Sequence, residues 1–271
     1  MMGSIGTLQV GEVKLAYRLD GEGGRPLVCI HGVGSYKEAW DGVVEGLKDD
    51  FTVLTFDLRG HGASSRNKGR YEIEDFVREV IALADHVGFK TFSLAGFSLG
   101  GLIAQKLALT YPERVDRLIL LSTVAGRTQE EKDRVAGRLA GLMAGEPGSH
   151  YDASLSRWLT EEFQKNNPEK VARLRERNAE NDRECYAAAY RVLAETDLGE
   201  ALSQIGVPTL VATGEGDSGS NPRMARLIHD RIANSQLRIL PGLRHSILTE
   251  APELVASIMR DFLKKTGEIH G

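Results

Sequence analysis

One short segment, Gly96-Phe97-Ser98-Leu99-Gly100, places a serine between two glycines, directly after a predicted strand and directly before a predicted helix. A side chain at the tip of such a turn requires a strained backbone. Its neighbours two positions away must be small so that strand and helix can approach closely. The turn also directs the helix N-terminus, which favours developing negative charge, at the serine hydroxyl. The segment therefore predicts that Ser98 is a nucleophile.

Serine is a weak nucleophile and requires a general base, for which the chain offers seven histidines. His245 follows the predicted strand Gln236–Leu240 and a Pro-Gly turn, and it precedes the last predicted helix. We therefore expect it on a loop at the carboxyl edge of the sheet, on the same side as Ser98, as the general base. His31 and His61 lie in turns that follow predicted strands, and His86 and His229 lie in predicted helices. His150 lies in the predominantly helical segment 126–204, and His270 lies in the C-terminal tail.

A carboxylate that orients the base is expected at the end of the strand that precedes the histidine. Gly214-Glu215-Gly216-Asp217 directly follows the predicted strand Pro208–Thr213. Asp217 is favoured over Glu215, because Glu215 lies too near the strand end. The resulting order Ser98, Asp217, His245 along the chain is a known order of catalytic triads. The carboxylate would fix the tautomer of the imidazole and stabilise the imidazolium.

An oxyanion formed during attack on a carbonyl needs two preorganised N–H donors. The amide of Leu99, the residue after the nucleophile, is predicted as one of them. The turn His31-Gly32-Val33-Gly34 follows a buried apolar strand, and its Val33 amide is predicted as the other donor. In this turn we interpret His31 as a structural hydrogen-bonding residue.

A second turn, Asp57-Leu58-Arg59-Gly60-His61-Gly62, closes the next buried strand. Asp57 or His61 could belong to a functional site. The favoured interpretation is structural: a tight turn held by an internal contact between Asp57 and Arg59.

The elements that must position these residues alternate between apolar strands and amphipathic helices. A hairpin opens the chain, at 8–10 and 13–19. The later predicted strands are 26–31, 52–57, 91–95, 115–121, 208–213 and 236–240. The predicted helices between them are 37–48, 72–88, 99–110, 222–233 and 251–265. This alternation predicts an α/β fold, with a mostly parallel central sheet flanked by helices on both faces.

Residues 126–204 interrupt this alternation. They contain many charges and amphipathic helical patterns, and no convincing strand. We interpret them as an inserted all-helical cap (lid) over the carboxyl ends of the strands, where open α/β sheets place their sites. The core would then consist of residues 1–125 and 205–271.

Composition excludes several classes of function. The net charge is −4 and no Lys/Arg block stands out, so no nucleic-acid or anionic-membrane partner is expected. No signal peptide or stretch of about 20 apolar residues is present, so a membrane span is not expected either. The cysteines, Cys29 and Cys185, suit neither a disulfide framework nor a metal site and favour a cytoplasmic location. The sequence leaves monomer and homodimer open.

These motifs together resemble the α/β-hydrolase superfamily across essentially the whole chain, and within it the 3-oxoadipate enol-lactonases and carboxylesterase-like hydrolases. The segment Ser156-Arg157-Trp158-Leu159-Thr160-Glu161-Glu162-Phe163 looks like the Arg-Trp-Phe-Thr-Pro-x-Phe segment of that family, and Tyr186 adds to the likeness. Leu159 replaces the usual aromatic residue and Glu161 the proline. The resemblance implies that Arg157 pairs with a substrate carboxylate and that Trp158 forms an apolar wall, with Tyr186 also at the substrate.

The expected activity is that of a serine hydrolase, which cleaves a small-molecule carboxylic ester or lactone through an acyl-enzyme. No metal or organic cofactor is required for that chemistry. Three alternatives share the same residues: a hydrolase of C–C bonds in ring-cleavage products, a cofactor-free haloperoxidase or perhydrolase, and a ligand receptor that keeps the fold without turnover.

Overall fold

The computed structural model describes residues 3–144 and 149–264, the side chains of 149–153 excepted. In these residues an eight-stranded sheet runs in the order β1-β2-β4-β3-β5-β6-β7-β8. The strands are β1 (Ser4–Val10), β2 (Val13–Asp20), β3 (Arg25–Ile30), β4 (Phe51–Phe56), β5 (Phe92–Phe97), β6 (Val115–Leu121), β7 (Thr209–Gly214) and β8 (Ser235–Leu240).

Only the pairs β1–β2 and β2–β4 are antiparallel; the other five strand pairs are parallel. The α-helices are α1 (Asp41–Glu45), α2 (Ile73–His86), α3 (Leu99–Thr110), α4 (Gln129–Ala144), α5 (Ser149–Trp158), α6 (Glu161–Asn166), α7 (Pro168–Ala179), α8 (Arg183–Glu195), α9 (Pro222–Arg231), α10 (Ile247–Glu250) and α11 (Pro252–Lys264). Short 3₁₀ turns lie at Lys37–Trp40, Pro112–Arg114 and Ala201–Gln204. The predicted fold, a mostly parallel sheet flanked by helices, is confirmed.

The central strands β3, β5, β6 and β7 are buried along most of their length because both faces of the sheet are covered. In β3, Val28 and Ile30 pack into a core beneath α2 and α3, whereas Leu27 and Cys29 pack on the opposite face with Trp40. Successive strand residues point to opposite faces, so a continuous apolar run feeds both cores.

The order of the strands creates a crevice between β3 and β5. The chain passes from β3 to β4 on one side and then to β5 on the other, with Ile30 opposite Gly96 in the parallel ladder. Ligands of open α/β sheets bind at such a reversal, outside the carboxyl ends of the strands. Ser98 directly follows β5 and the loop 31–35 directly follows β3, so both lie at this reversal.

The inserted segment lies between β6 and β7. Its described residues contain the helices α4 to α8 and no strand. None of the helices within the described ranges combines the length and the apolar composition that a membrane crossing needs.

The predicted helix over 37–48 is wrong in length. The structure has a 3₁₀ turn followed by the five-residue α1 and a turn at Gly46. Gly42 and Gly46 weaken the helix, and packing explains their presence. A Cβ at Gly42 would lie 2.7 Å from Cβ of Pro252, and one at Gly46 would lie 2.7 Å from Cβ of Ala256.

Candidate active site

The backbone of Ser98 is strained. Its φ of 55° and ψ of −115° lie in a region that the backbone of non-glycine residues rarely adopts. Ser98 and Ser122 are the only described non-glycine residues with positive φ. The surrounding hydrogen bonds hold this conformation. The amide of Ser98 donates to Leu121 O at 2.9 Å, and its carbonyl accepts from Thr123 Oγ1 at 2.8 Å. Strain of this kind is typical of functional turns.

Close backbone approach explains the two glycines of the turn. A Cβ at Gly96 would overlap the carbonyl oxygen of Gly100, and one at Gly100 would overlap the carbonyl oxygen of Ile30. Gly32 lies against the serine itself, because a Cβ there would be 3.0 Å from Cβ of Ser98. The strand, the helix and the loop after β3 therefore converge on the Ser98 side chain.

His245 and Asp217 are brought together from the ends of two neighbouring strands. Asp217 follows β7 and His245 follows β8, and Nδ1 of the imidazole lies 2.7 Å from Oδ2 of the carboxylate. The ring of Phe97 packs against the imidazole, with centroids 5.1 Å apart. With Nδ1 engaged by the carboxylate, Nε2 is the nitrogen left to exchange a proton.

The Asp217 carboxylate is buried and fully hydrogen-bonded. Its Oδ1 accepts from the amides of Gly219 at 2.8 Å and Ser220 at 2.9 Å, and its Oδ2 accepts from Thr213 Oγ1 at 3.2 Å. Burial by itself raises the pKa of this carboxyl, but the charge of His245 and these hydrogen bonds outweigh it and hold the pKa below its usual range. Asp217 is therefore ionised at neutral pH.

Ser98 and His245 line the same cavity. Ser98 Oγ forms no hydrogen bond with another described residue, so no bond joins it to His245 in this structure. Such bonds are often long in unliganded sites and tighten when substrate binds.

The two amides predicted as oxyanion donors have no hydrogen-bond partner among the described residues. Leu99 is the first residue of α3, so its amide has no acceptor within the helix. Val33 lies in the loop after β3, where the neighbouring amide of Gly34 donates to His61 Nε2 at 3.0 Å. The loop is thereby fixed while the Val33 amide stays available.

His31 and His61 are buried structural residues, with ring centroids 5.3 Å apart. His31 lies within hydrogen-bond distance of Gly32 O through Nδ1, at 2.7 Å, and accepts from the amide of Leu58 through Nε2, at 3.0 Å. Burial lowers the pKa of both imidazoles, that of His61 to about 3, so both are neutral at pH 7.

The predicted contact between Asp57 and Arg59 is wrong. The buried Asp57 carboxylate faces inwards, where it accepts from Lys37 Nζ at 2.9 Å and from the amide of Ala63 at 2.9 Å. Arg59 instead packs against α2, where its Nη2 donates to Oε1 of Glu79 at 2.6 Å. Both partners are distant in the sequence, so local spacing could not indicate them.

The remaining candidates lie away from the nucleophile. Glu215 accepts from the amide of Gly242 at 3.3 Å, His86 lies 3.1 Å from the Tyr17 hydroxyl, and His229 lies 2.8 Å from the Ser235 hydroxyl. The His150 side chain and the whole of His270 fall outside the described part of the chain.

A cavity of about 750 Å³ opens between the strand ends and the inserted helices. It is lined by Ser98, His245 and the three residues that the family resemblance singled out, Arg157, Trp158 and Tyr186. Arg157 donates to Ser154 Oγ at 2.5 Å. The ring of Tyr186 packs directly on Gly34, where a Cβ would overlap it.

Five further cations line this cavity, and the sequence did not indicate them. They are Arg127, Arg138, Lys170, Arg173 and Arg177, and the acidic residues that line the cavity are Glu38 and Asp217. Arg127 follows β6 at the carboxyl edge of the sheet, and this position could have indicated that it lines the site. Arg138 lies on α4, and nothing in its local sequence distinguishes it from an exposed helical arginine.

Arg127 is 6% exposed. Its Nη2 donates to Leu193 O at 2.8 Å, whereas its buried Nε has no hydrogen-bond partner among the described residues. Burial lowers the pKa of this guanidinium, although the charge of Asp197 opposes the shift. Burial and the nearby charge of Arg138 likewise lower the pKa of Arg157. Like charges are therefore concentrated on this side of the cavity.

No three His, Cys, Asp or Glu side chains within 3–144 and 154–264 lie close enough together to hold a metal ion.

Comparison with known proteins agrees with this architecture. Residues 25–252 match the family model of the alpha/beta hydrolase fold. The chain is 31% identical to 3-oxoadipate enol-lactonase 2 of Acinetobacter baylyi, over 94% of this chain and 97% of that protein. It is 32% identical to (E)-2-((N-methylformamido)methylene)succinate hydrolase of the same organism, over 96% and 98%. The solved enol-lactonase of Burkholderia xenovorans superposes with a TM-score of 0.89 at 29% identity, over 95% of this chain and 99% of that one.

Proposed function

The chain belongs to the α/β-hydrolase fold family and is an enzyme with hydrolase activity; from this premise we propose that it cleaves a carboxylic ester or lactone through an acyl-enzyme on Ser98. The observation that carries the proposal is the pairing of a strained, cavity-lining serine with a buried Asp217–His245 hydrogen bond of 2.7 Å at the same sheet edge. A serine hydrolase requires both features, because the hydroxyl needs activation and the base needs orientation.

In the first half-reaction Ser98 Oγ attacks the substrate carbonyl carbon while Nε2 of His245 takes the hydroxyl proton. The negative charge that develops on the carbonyl oxygen is stabilised by the amides of Val33 and Leu99, which have no other partner among the described residues. Asp217 stabilises the imidazolium. As the C–O bond breaks, His245 gives its proton to the leaving oxygen, which departs as the alcohol or, from a lactone, remains on the acyl group.

In the second half-reaction water attacks the acyl carbon, and its proton passes to His245. The tetrahedral intermediate uses the same two amides. When it collapses, His245 returns the proton to Ser98 Oγ and the carboxylic acid leaves. The free enzyme is regenerated without any further reactant.

We assign residues 126–204 as the cap domain, and residues 1–125 and 205–271 as the hydrolase core. Arg157, Trp158 and Tyr186 of the cap are assigned to substrate binding, since all three line the cavity.

The charges of the cavity support an anionic substrate. Six Lys or Arg side chains line it against two carboxylates, one of which is already engaged by His245, although the whole chain carries a net charge of −4. Positive charge is therefore concentrated at the site, where it attracts anions and raises their local concentration. We assign Arg157, with Arg127 and Arg138, to a carboxylate of the substrate. Guanidinium groups suit that partner because their N–H groups match its geometry.

A pair of chromogenic esters tests this assignment. Mono-p-nitrophenyl glutarate carries a carboxylate, and p-nitrophenyl valerate is a neutral ester of the same chain length with the same leaving group. We expect kcat/KM to favour the anionic ester by about tenfold or more, the value of a charged hydrogen bond. Arg138→Gln should remove most of that preference through KM and leave the neutral ester unaffected.

Lys132→Gln is the matched control, because Lys132 lies on the same helix but is not among the residues that line the cavity. Equal rates for the two esters, or an equal loss in the Lys132 variant, would contradict the anionic substrate. Parallel assays with an enol-lactone, a dienoate ketone and a peroxide acceptor would distinguish ester and lactone cleavage from C–C cleavage and perhydrolysis. Single turnover with retained product would instead indicate a receptor.

A further inference from the structure

Three loops carry the proposed catalytic groups other than Ser98 and Leu99, and each of these loops is hydrogen-bonded to a different part of the cap. They are the oxyanion loop (31–35), the acid loop (215–221) and the histidine loop (241–246). A cap that only covered the cavity would not need contacts with all three.

The oxyanion loop is held through the peptide oxygen of Gly34. Asn181, in the turn between α7 and α8, donates from Nδ2 to Gly34 O at 2.9 Å. On the other side the amide of Gly34 donates to His61 in the core at 3.0 Å. The residue next to Val33 is therefore fixed between core and cap.

The acid loop is held by Glu131 of α4. Glu131 Oε1 accepts from Asn221 Nδ2 at 2.8 Å, and Oε2 accepts from Arg223 Nη2 at 2.5 Å. Asn221 is the N-cap of α9 and directly follows Ser220, whose amide donates to Asp217 at 2.9 Å. Glu131 is 7% exposed. Burial alone raises its pKa, yet its hydrogen bonds with Thr128, Asn221 and Arg223 outweigh that effect and lower it, so the carboxylate is charged.

The histidine loop is held on both sides of His245. Ser246 donates its amide to Trp158 O at 2.9 Å, and Arg244 donates to the carbonyls of Ser156 and, at 3.1 Å, of Leu159. These carbonyls end α5, where a cation is favourable.

Glu250, four residues after Ser246, adds a further link between the region of the histidine loop and the cap. Its carboxylate accepts from the amide of Thr160 at 3.2 Å and from Thr160 Oγ1 at 2.6 Å. Thr160 is the N-cap of α6, so the carboxylate also lies at a helix N-terminus, where negative charge is favourable.

We propose that the cap is a positioning frame for the catalytic loops, and that Asn181, Glu131 and Glu250 are positioning residues that act through Gly34, Asn221 and the His245 loop. This inference rests on the proposed function of Ser98. None of the three is among the residues that line the cavity. Their removal should therefore act on the geometry of the catalytic groups and not on contacts with substrate. A displacement of about 1 Å can cost about 100-fold in rate.

The test uses p-nitrophenyl acetate, whose acyl group is too short to depend on contacts with the cap, together with the bulkier valerate ester. We expect Glu250→Ala and Asn181→Ala each to lower kcat on both esters about tenfold, with KM within about twofold. Glu250→Gln retains one acceptor for Thr160 and should recover part of the rate. Glu253→Ala and Asn166→Ala, at exposed positions, are the matched controls.

Rates are expressed per active site, counted by covalent labelling with a fluorophosphonate, so that a partly unfolded preparation cannot imitate a positioning defect. If the variants keep kcat on the acetate ester and change only KM for the valerate ester, the cap only covers the cavity and the inference is wrong. It is equally wrong if the lost rate is fully explained by fewer labelled sites. Absence of labelling and turnover in the unaltered enzyme would instead overturn the proposed function.

Discussion

The Nε2 atom of His61 accepts a hydrogen bond from the amide of Gly34 at 3.0 Å, which links the turn after β4 to the loop after β3. This contact requires a neutral imidazole, because a protonated ring has no acceptor nitrogen. Burial, reinforced by the neighbouring His31, lowers the pKa of His61 from 6.5 to about 3.

The free energy of unfolding should therefore decrease as the pH is lowered below about 6.5, before the carboxylates of the enzyme begin to take up protons. Below about pH 6.5 the unfolded chain binds protons at His31 and His61 that the folded chain does not. Each such group removes about 1.4 kcal/mol of unfolding free energy per pH unit until its folded pKa is reached. Asp57 and Asp217 contribute only below about pH 4, because lowered carboxyl pKa values lose their stabilising effect there.

Urea unfolding at pH 5, 6 and 7 measures this dependence. His61→Gln keeps an acceptor for Gly34 and cannot be protonated, so the slope of unfolding free energy against pH should decrease, since one of the two buried histidines is removed. An unchanged slope in that variant would show that His61 is not the group that titrates on unfolding.

Asp217→Asn should lower kcat by about 10³–10⁴-fold with little change in KM, because the imidazole loses the carboxylate that fixes its tautomer and stabilises its charge. The matched variant is Glu215→Gln, which removes a carboxylate from the same loop and only weakens a 3.3 Å hydrogen bond with Gly242. We expect its kcat within about threefold of the unaltered enzyme. A larger loss for Glu215→Gln than for Asp217→Asn would exchange their roles.

Lys37→Met should destabilise the fold by about 3–5 kcal/mol, because it leaves the Asp57 carboxylate buried without its cation. Burial would then raise the pKa of Asp57 with less opposition. The loss of unfolding free energy should therefore be smaller at pH 4 than at pH 7. Equal losses at the two pH values, measured by urea unfolding, would mean that the charge of Asp57 does not depend on Lys37.

Gly100→Ala should destabilise the protein by about 3 kcal/mol or more, because the added methyl group overlaps the carbonyl oxygen of Ile30. Gly137→Ala is the control, since a Cβ at this helical position meets nothing within 4 Å. That variant should gain about 0.5–1 kcal/mol from helix propensity. If thermal unfolding tolerated both substitutions equally, the close approach of β3 and α3 would be disproved.

The fold could be predicted from the sequence because the patterns of apolar residues that indicate strands and helices are local and periodic. The predicted strand 115–121 and helix 99–110 match the structure residue by residue, since an apolar run and a helical repeat need no distant partner to be read. The strand predicted to end at Ala95 continues to Phe97, because the ladder with β6 persists up to the turn.

The site could be predicted only where it follows the strand ends. Ser98, Asp217 and His245 each follow a parallel strand, and parallel strands end at one edge of the sheet, so their proximity was predictable. The Lys37–Asp57 pair and the cavity position of Arg138 depend on how elements that are distant in the sequence pack together, which no local spacing encodes.

The most direct test of the central claim is covalent labelling with a fluorophosphonate, followed by mass spectrometry of the labelled peptide. We predict a single adduct on Ser98, and that Ser98→Ala loses the label and lowers kcat by about 10³-fold or more while unfolding at an unchanged temperature. A label on any other residue, or full activity in the Ser98→Ala enzyme, would contradict the account.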